Sequence, residues 1–203
     1  MLKLKRWDEV KSKSSTIRDI YEKGGGIIFA DKVLDKNFLT LAVCPFISKS
    51  FEDFTKATRE ARNPPPYLYI KDEKYISKFF FLKNFEEVIL RKILNTEEFI
   101  FVSVPNLKIS QKKIGIRLHR DKDINELIGI LGGLALCIPI SSQKLEMFNH
   151  RADIVLIGDE NIQSNFPTFL ECVDENSVRI FYEGSFSKYY VSEKLTQYGI
   201  KVT

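Results

Sequence analysis

Two short stretches of this 203-residue chain carry side chains suited to gripping an anion. Gly115-Ile116-Arg117-Leu118 places a guanidinium at the end of an apolar run, directly before a helical pattern, and Ile140-Ser141-Ser142 closes a second apolar run on two hydroxyls. Another arginine, Arg62 in Glu60-Ala61-Arg62, stands just ahead of Pro64-Pro65-Pro66, with Lys56 and Arg59 near it. A guanidinium takes phosphate or carboxylate through a planar fork of donors, and it pairs equally well with an Asp or Glu of its own chain. For Arg62 and Arg117 both readings stay open on sequence alone. Lys32 and Lys36 lie just past the first apolar run, where charged loop residues are usually solvated. His119 and His150 are the only histidines; His119, beside Arg120, has no visible partner to tune it as a base and is read as capping a strand end.

The elements that must hold these groups follow from apolar spacing. Ile17, Ile20 and Tyr21 recur at helical intervals after a Ser14-Ser15-Thr16 cap, and Gly24-Gly25-Gly26 stops that helix before a strand from Ile27 to Ala30. The glycines precede a strand and lack a following Lys-Ser/Thr helix, so they read as a helix stop and not as a phosphate loop. Phe38 to Val43 is a second strand. Ser48 or Ser50 then caps a helix that ends near Asn63, because three prolines cannot continue it; they form a stiff connector into a strand at Tyr67 to Ile70. Phe79-Phe80-Phe81 is expected in the core, and would mark an interaction surface if exposed. A helix at Phe85 to Ile93 and strands at Phe99 to Val104 and Ile114 to Leu118 follow. Next come a helix through Ile124, Leu127, Ile128 and Leu131, capped by Asp121 or Asp123, and a strand at Leu136 to Ile140. The last third gives strands at Ile154 to Ile157, Thr168 to Val173 and Val178 to Tyr182, a turn at Asp174-Glu175-Asn176, and a closing helix within Tyr189 to Tyr198. Helices and strands intermix without strict alternation, which favours an α/β chain of α+β type with a mixed sheet.

Composition sets outer bounds. Hydrophobic residues at 44% and charged residues at 29% suit a single folded domain over 1–203, and no window reaches the apolar length of a membrane span. The basic start lacks an apolar stretch behind it, so no secretory signal is read, and the expected location is cytoplasmic with no membrane partner. Cys44, Cys137 and Cys172 are lone thiols without paired spacing, expected as reduced core residues, and no structural metal is expected. A net charge of +4 permits nucleic acid or nucleotide phosphate as partner without requiring it.

Taken together, these landmarks and their order resemble the YrdC family of threonylcarbamoyl-AMP synthases over about residues 16–191, with 1–15 as an N-terminal extension. The landmarks are the Gly turn before Ile27-Ile28-Phe29, the Arg62 to Ile70 segment, the Phe99 to Val104 strand, Gly115-Ile116-Arg117 with its helix and strand, and Val178 to Gly184 with Ser187 beyond. The resemblance implies a twisted mixed sheet with flanking helices around an electropositive concave cavity. It implies condensation of threonine, bicarbonate and ATP, with Mg²⁺ accompanying the triphosphate, to supply threonylcarbamoyladenosine modification of tRNA. Double-stranded RNA, tRNA and other tRNA-modification proteins are the implied partners.

The family's motif residues are matched only in part. Pro-Thr-x-Thr-x-Tyr-Gly is replaced by Ala30-Asp31-Lys32-Val33-Leu34-Asp35-Lys36, and Lys-x-Arg by Glu60-Ala61-Arg62. A further lysine falls on Pro66, and Ser-x-Asn falls on Ile140-Ser141-Ser142. Gly115 and Arg117 agree, Thr168 matches a threonine of the next strand, and the arginine expected before the last glycine is Tyr182. A charge-assisted hydrogen bond is worth on the order of 1.5 to 3 kcal/mol. Losing two lysines and an arginine therefore removes several kcal/mol of ATP binding, roughly three or more decades, unless Lys32, Lys36, Lys56 or Arg59 replaces them. Two functions follow. One is a divergent nucleotidyltransferase in which Arg62 and Arg117 bind phosphate or carboxylate and Ser141, Ser142 and Thr168 lie near the substrates. The other is a noncatalytic RNA- or partner-binding module.

Overall fold

The computed structural model describes residues 2–4, 6–33, 36–47, 64–94, 96, 98–106, 113–118, 121–141, 152–156, 162 and 166–203. In chain order the elements are β1 (Leu2–Leu4), α1 (Trp7–Ser12), α2 (Ser14–Glu22), β2 (Gly26–Val33), β3 (Lys36–Val43) and β4 (Tyr67–Ile70). A 3₁₀ turn (Glu73–Tyr75) leads into α3 (Ile76–Phe79) and α4 (Asn84–Leu94), then β5 (Phe99–Ser103), β6 (Ile114–Arg117), α5 (Lys122–Ile130) and β7 (Leu134–Ile140). β8 (Ala152–Leu156), β9 (Thr168–Asp174), β10 (Ser177–Tyr182), α6 (Lys188–Thr196) and β11 (Lys201–Val202) complete the chain.

All the strands join one mixed sheet in the order β1-β8-β2-β3-β7-β4-β6-β5-β9-β10-β11. β7 sits in its middle, antiparallel to both β3 and β4, and every residue of its run Leu-Ala-Leu-Cys-Ile-Pro-Ile is buried. A strand covered on both faces is expected to be continuously apolar. Pro139, which has no N–H to give a ladder, lies past the stretch that β4 covers, where β7 pairs with β3 alone.

Alternation along the strands divides the core in two. Leu136, Ile138 and Ile140 face one side with Leu39, Leu41 and Val43, over which α4 and α6 pack through Ile89, Ile93, Val191 and Leu195. Ala135 and Cys137 face the other side with Ile27, Phe29, Tyr67 and Tyr69, covered by Ile17 and Tyr21 of α2 and Ile124 and Leu127 of α5. The Tyr21 hydroxyl, fully buried, donates to the carbonyl of Leu134 at 2.8 Å and lies 3.1 Å from that of Val43, pinning α2 to the ends of β7 and β3. Asp121 caps α5 as its sequence predicts, accepting from the N–H groups of Asp123 and Ile124.

Several expectations are corrected. Helix α2 begins at Ser14 after Lys13, with no side-chain cap, so Ser14, Ser15 and Thr16 lie inside it. The first strand continues three residues past Ala30 to Val33, carrying Asp31 and Lys32 into the ladder against Phe38 and Asn37. The stretch expected as an extension instead supplies β1, which pairs with β8, and α1, with Leu4 and Val10 buried in the core; three and six residues are too few to show a period. Beyond the resemblance, β11 lies parallel to β10. The phenylalanine triplet divides, with Phe79 and Phe80 buried and Phe81 65% exposed. The helix expected from Ser48 or Ser50 to Asn63 lies outside the described residues, as do Glu60, His119 and His150. Among the described residues, no helix is long and apolar enough to cross a membrane.

Candidate functional site

Arg117 ends β6 beside Tyr69 of β4, and Asp31 lies near the end of β2 beside Phe38 of β3. β2 and β6 are four strand positions apart in the sheet. On a flat sheet that is about 19 Å, far beyond the reach of a side chain. Yet the Arg117 guanidinium Nη2 lies 3.3 Å from Asp31 Oδ1. The sheet must therefore curl toward this face, and the two side chains meet across its concavity.

Both are buried, Arg117 at 3% and Asp31 at 0% exposure. Arg117 Nη2 also donates to the Lys32 carbonyl at 2.5 Å. The Tyr67 hydroxyl donates to Asp31 Oδ2 at 2.7 Å and stands 3.0 Å from Thr40 Oγ1. A phenol has one proton, so Thr40 must be the donor in that second contact. Asp31 Oδ1 further accepts from the Lys32 N–H at 2.7 Å. Three rings enclose the guanidinium, with Phe38, Tyr67 and Tyr69 at 5.6, 5.8 and 5.8 Å from its carbon. Phe169 packs edge-on to Tyr67. Gly115 permits this closeness, since a Cβ there would lie 2.8 Å from that of Tyr67 and 2.4 Å from Ile100 Cγ2.

Burial by itself would favour loss of the Arg117 proton, but the Asp31 charge and the hydroxyls of Tyr69 and Tyr67 outweigh it and hold the guanidinium charged. Burial, and then the Asp31 charge, push Tyr67 and Tyr69 well above the usual phenol value. The same two causes, in the same order, push the Cys137 thiol up. This interior holds one cation and one anion together and keeps Tyr67, Tyr69 and Cys137 neutral.

The other sequence candidates fall in different places. Thr168 is fully buried and turned to the 184–186 turn, its hydroxyl 3.3 Å from the Phe186 carbonyl and accepting from the Gly184 N–H at 3.2 Å. Its role there is to fasten that turn to β9. Ser141 follows β7, half-buried at the strand end. Lys32 is half-buried and its backbone is part of the Arg117 cluster. Lys36 opens β3 opposite Val33, its side chain outside the described residues, and Arg59, Arg62 and Ser142 lie outside them altogether. The three cysteines are free thiols, Cys44 and Cys137 buried and Cys172 half-buried. Among the described residues no group of His, Cys, Asp or Glu is arranged to hold a metal ion. For a magnesium-bound triphosphate, the described concave face presents one guanidinium, and it already holds a carboxylate; that part of the face does not fit the group.

The residues missed by sequence reasoning are Asp31, Thr40, Tyr67 and Tyr69. One signal was present: Tyr67-Leu68-Tyr69 sets two phenols at a spacing of two, on one face of a strand.

No protein-family model and no curated protein sequence matches the chain. Solved structures do. YciO of E. coli superposes with a TM-score of 0.66 at 17% identity, covering 93% of this chain and 97% of that one. Sua5 of P. abyssi in complex with L-threonine gives a TM-score of 0.68 at 11% identity over 100% of this chain. The phosphate- and nucleotide-bound form of HypF gives 0.65 at 14% identity over 85% of this chain. The chain spans 61% of the Sua5 chain and 29% of HypF. At these identities the likeness concerns architecture, and the expectation drawn from Gly115-Ile116-Arg117 and its neighbouring elements is met there: the chain has a YrdC/Sua5-like fold.

Proposed function

We propose that the protein is a noncatalytic YrdC-like module that serves threonylcarbamoyl-tRNA modification by binding RNA or a protein partner. The observation that carries this reading is the enclosure of Arg117. Its charge is matched by Asp31 inside a cage of Phe38, Tyr67 and Tyr69. A substrate anion would have to displace a carboxylate that is covalently part of the chain and further held by Tyr67 and the Lys32 N–H. An intramolecular competitor acts at a high effective concentration, which a free carboxylate or phosphate at millimolar levels does not match.

A divergent threonylcarbamoyl-AMP synthase is the second reading. It is supported by the whole-chain likeness to a Sua5 structure holding L-threonine and by Ser141, half-buried at the end of β7. In that reading Arg62, Arg59, Lys36 and Ser142 carry the phosphate contacts in place of Arg117. ATP with Mg²⁺, threonine and bicarbonate are then the substrates, and positioned positive charge, with no covalent nucleophile, stabilises the α-phosphorus as it is attacked.

Pyrophosphate release by the purified chain with MgATP and bicarbonate, with and without threonine, separates the two. The module gives no threonine-dependent release beside an active control synthase; threonine-dependent release that Arg62→Ala abolishes establishes the synthase.

A further inference from the structure

Phe46, Tyr75, Lys78 and Phe79 are not used by the buried pair, and they line a groove on the other side of the sheet. Its volume is about 510 Å³, and its lining includes Phe46, Tyr75, Phe79, Leu134, Gly132 and Lys78. Phe79 and Leu134 form its floor as part of the core that α4 and α6 cover, whereas Phe46 and Tyr75 stand at its rim, 66% and 39% exposed. Gly132, at φ +87°, leaves open space where a side chain would stand. An exposed phenylalanine beside a half-exposed tyrosine over an apolar floor has the form of a docking pocket for an apolar anchor.

The charges around it have one sign left over. Lys78 is the charged residue of the lining, and Lys71 lies beside Gly133 of the same lining. The two nearby carboxylates are engaged, Asp72 with Lys74 at 2.9 Å and Glu73 with Arg91 at 3.8 Å. Lys71 and Lys78 form no ion pair among the described residues. Ring faces suited to stacking a nucleobase are partly taken, because the Lys74 ammonium lies 5.1 Å over Tyr75 and that of Lys78 lies 5.8 Å over Phe79. A partner that brings carboxylates to Lys78 and Lys71 and an apolar side chain to the floor uses both features, whereas a base stack competes with the lysines over the rings.

We propose that this groove docks an acidic peptide segment of a partner protein, one apolar or aromatic residue seated between Phe46 and Phe79 and flanking Asp or Glu residues paired with Lys78 and with Lys71, which lies beside Gly133 of the lining. Phe79 and Leu134 of the groove pack on one side of the sheet and Tyr67 and Tyr69 of the cage on the other, so the proposal stands apart from the question of catalysis.

The test is selection from a displayed random peptide library on the immobilised full chain, followed by titration of the enriched peptides. The expected result is enrichment of sequences with an apolar anchor flanked by acidic residues. Each of Phe46→Asp and Lys78→Glu should weaken them about tenfold or more. Phe81→Ala, on the neighbouring groove where Glu87 and Arg91 balance one another, should leave them unchanged. Phe46 and Lys78 are surface positions, and an unchanged Tm confirms that each variant folds. Enrichment without acidic bias, equal binding to the groove variants, or no enrichment overturns the proposal. So does binding of an eight-residue oligouridine that these same variants abolish, which would make the groove a nucleic-acid site. Pyrophosphate release, measured on the same proteins, reports on the Arg117 side independently.

Discussion

Among the described residues Asp31, Glu98 and Glu171 are buried carboxylates in ion pairs, and the clusters of Asp31 and Glu171 are built in opposite ways. Asp31 and its partner Arg117 are both withdrawn from water. Glu171 of β9 is 5% exposed, but its partners stay open: Arg179 reaches it at 2.6 Å with its side chain 58% exposed, and Lys113 pairs with its other oxygen at 42% exposure. In the second cluster the cations remain free to exchange Glu171 for solvent or for an external anion. In the first, Arg117 is 3% exposed, with the rings of Phe38, Tyr67 and Tyr69 packed around its guanidinium. Charge near a concave sheet is therefore no guide to ligand binding until one asks which member of the pair is enclosed.

Removing each cation sharpens this contrast. Arg117→Ala strands Asp31 in an apolar interior and is expected to cost about 3 to 5 kcal/mol, the cost of leaving one buried charge without its partner. Urea denaturation of the folded variant measures it, and a loss below about 1 kcal/mol would mean that solvent reaches the pair. The caged side also has an alkaline signature. Tyr67 and Tyr69 have folded values raised well above the usual phenol value, and so does Tyr21, where burial leads and Cys44 and Cys137 add. Their contribution is complete below the unfolded value near pH 10 and is lost as pH rises toward the folded values, because the unfolded state then releases protons the folded state keeps. Each tyrosine steepens the decline by about 1.4 kcal/mol per pH unit. Urea midpoints between pH 9 and 11.5 should fall, and Tyr67→Phe should flatten the slope. The smallest effect belongs to the open cluster, where Arg179→Ala is expected to cost no more than about 1 kcal/mol, because Lys113 remains and the lost pair is solvated.

Most elements were legible in the sequence because each carries its own period. Ile17 and Tyr21 of α2, Ile124 and Leu127 of α5 and the continuous apolar run of β7 could be placed from spacing alone. The short elements could not: Leu2–Leu4 and Lys201–Val202 are recognisable as strands only by the strands they pair with. The site was harder to read for a different reason. Arg117 was visible, and its two readings were balanced, but the residue that bears on the choice lies 86 positions away in sequence. Asp31 sits at the point where an acid usually marks a strand's end, so it was noticed as a departure from Pro-Thr-x-Thr-x-Tyr-Gly and not as a partner. Only the curl of the sheet brings β2 to β6, and no local pattern encodes that curl. Phe81 was equally unreadable, since nothing in Phe-Phe-Phe says which ring is left outside.

The central claim is that, among the described residues, Asp31 and Arg117 are bound to each other and to nothing else of opposite charge. A double-mutant cycle over Asp31→Asn, Arg117→Met and the double variant, read by urea denaturation at pH 7, tests it most directly. The account predicts that the double variant is more stable than the sum of the two losses allows, with a coupling of about 2 kcal/mol or more. Additivity within about 0.5 kcal/mol would contradict it, and would return Arg117 to the set of residues open to a substrate.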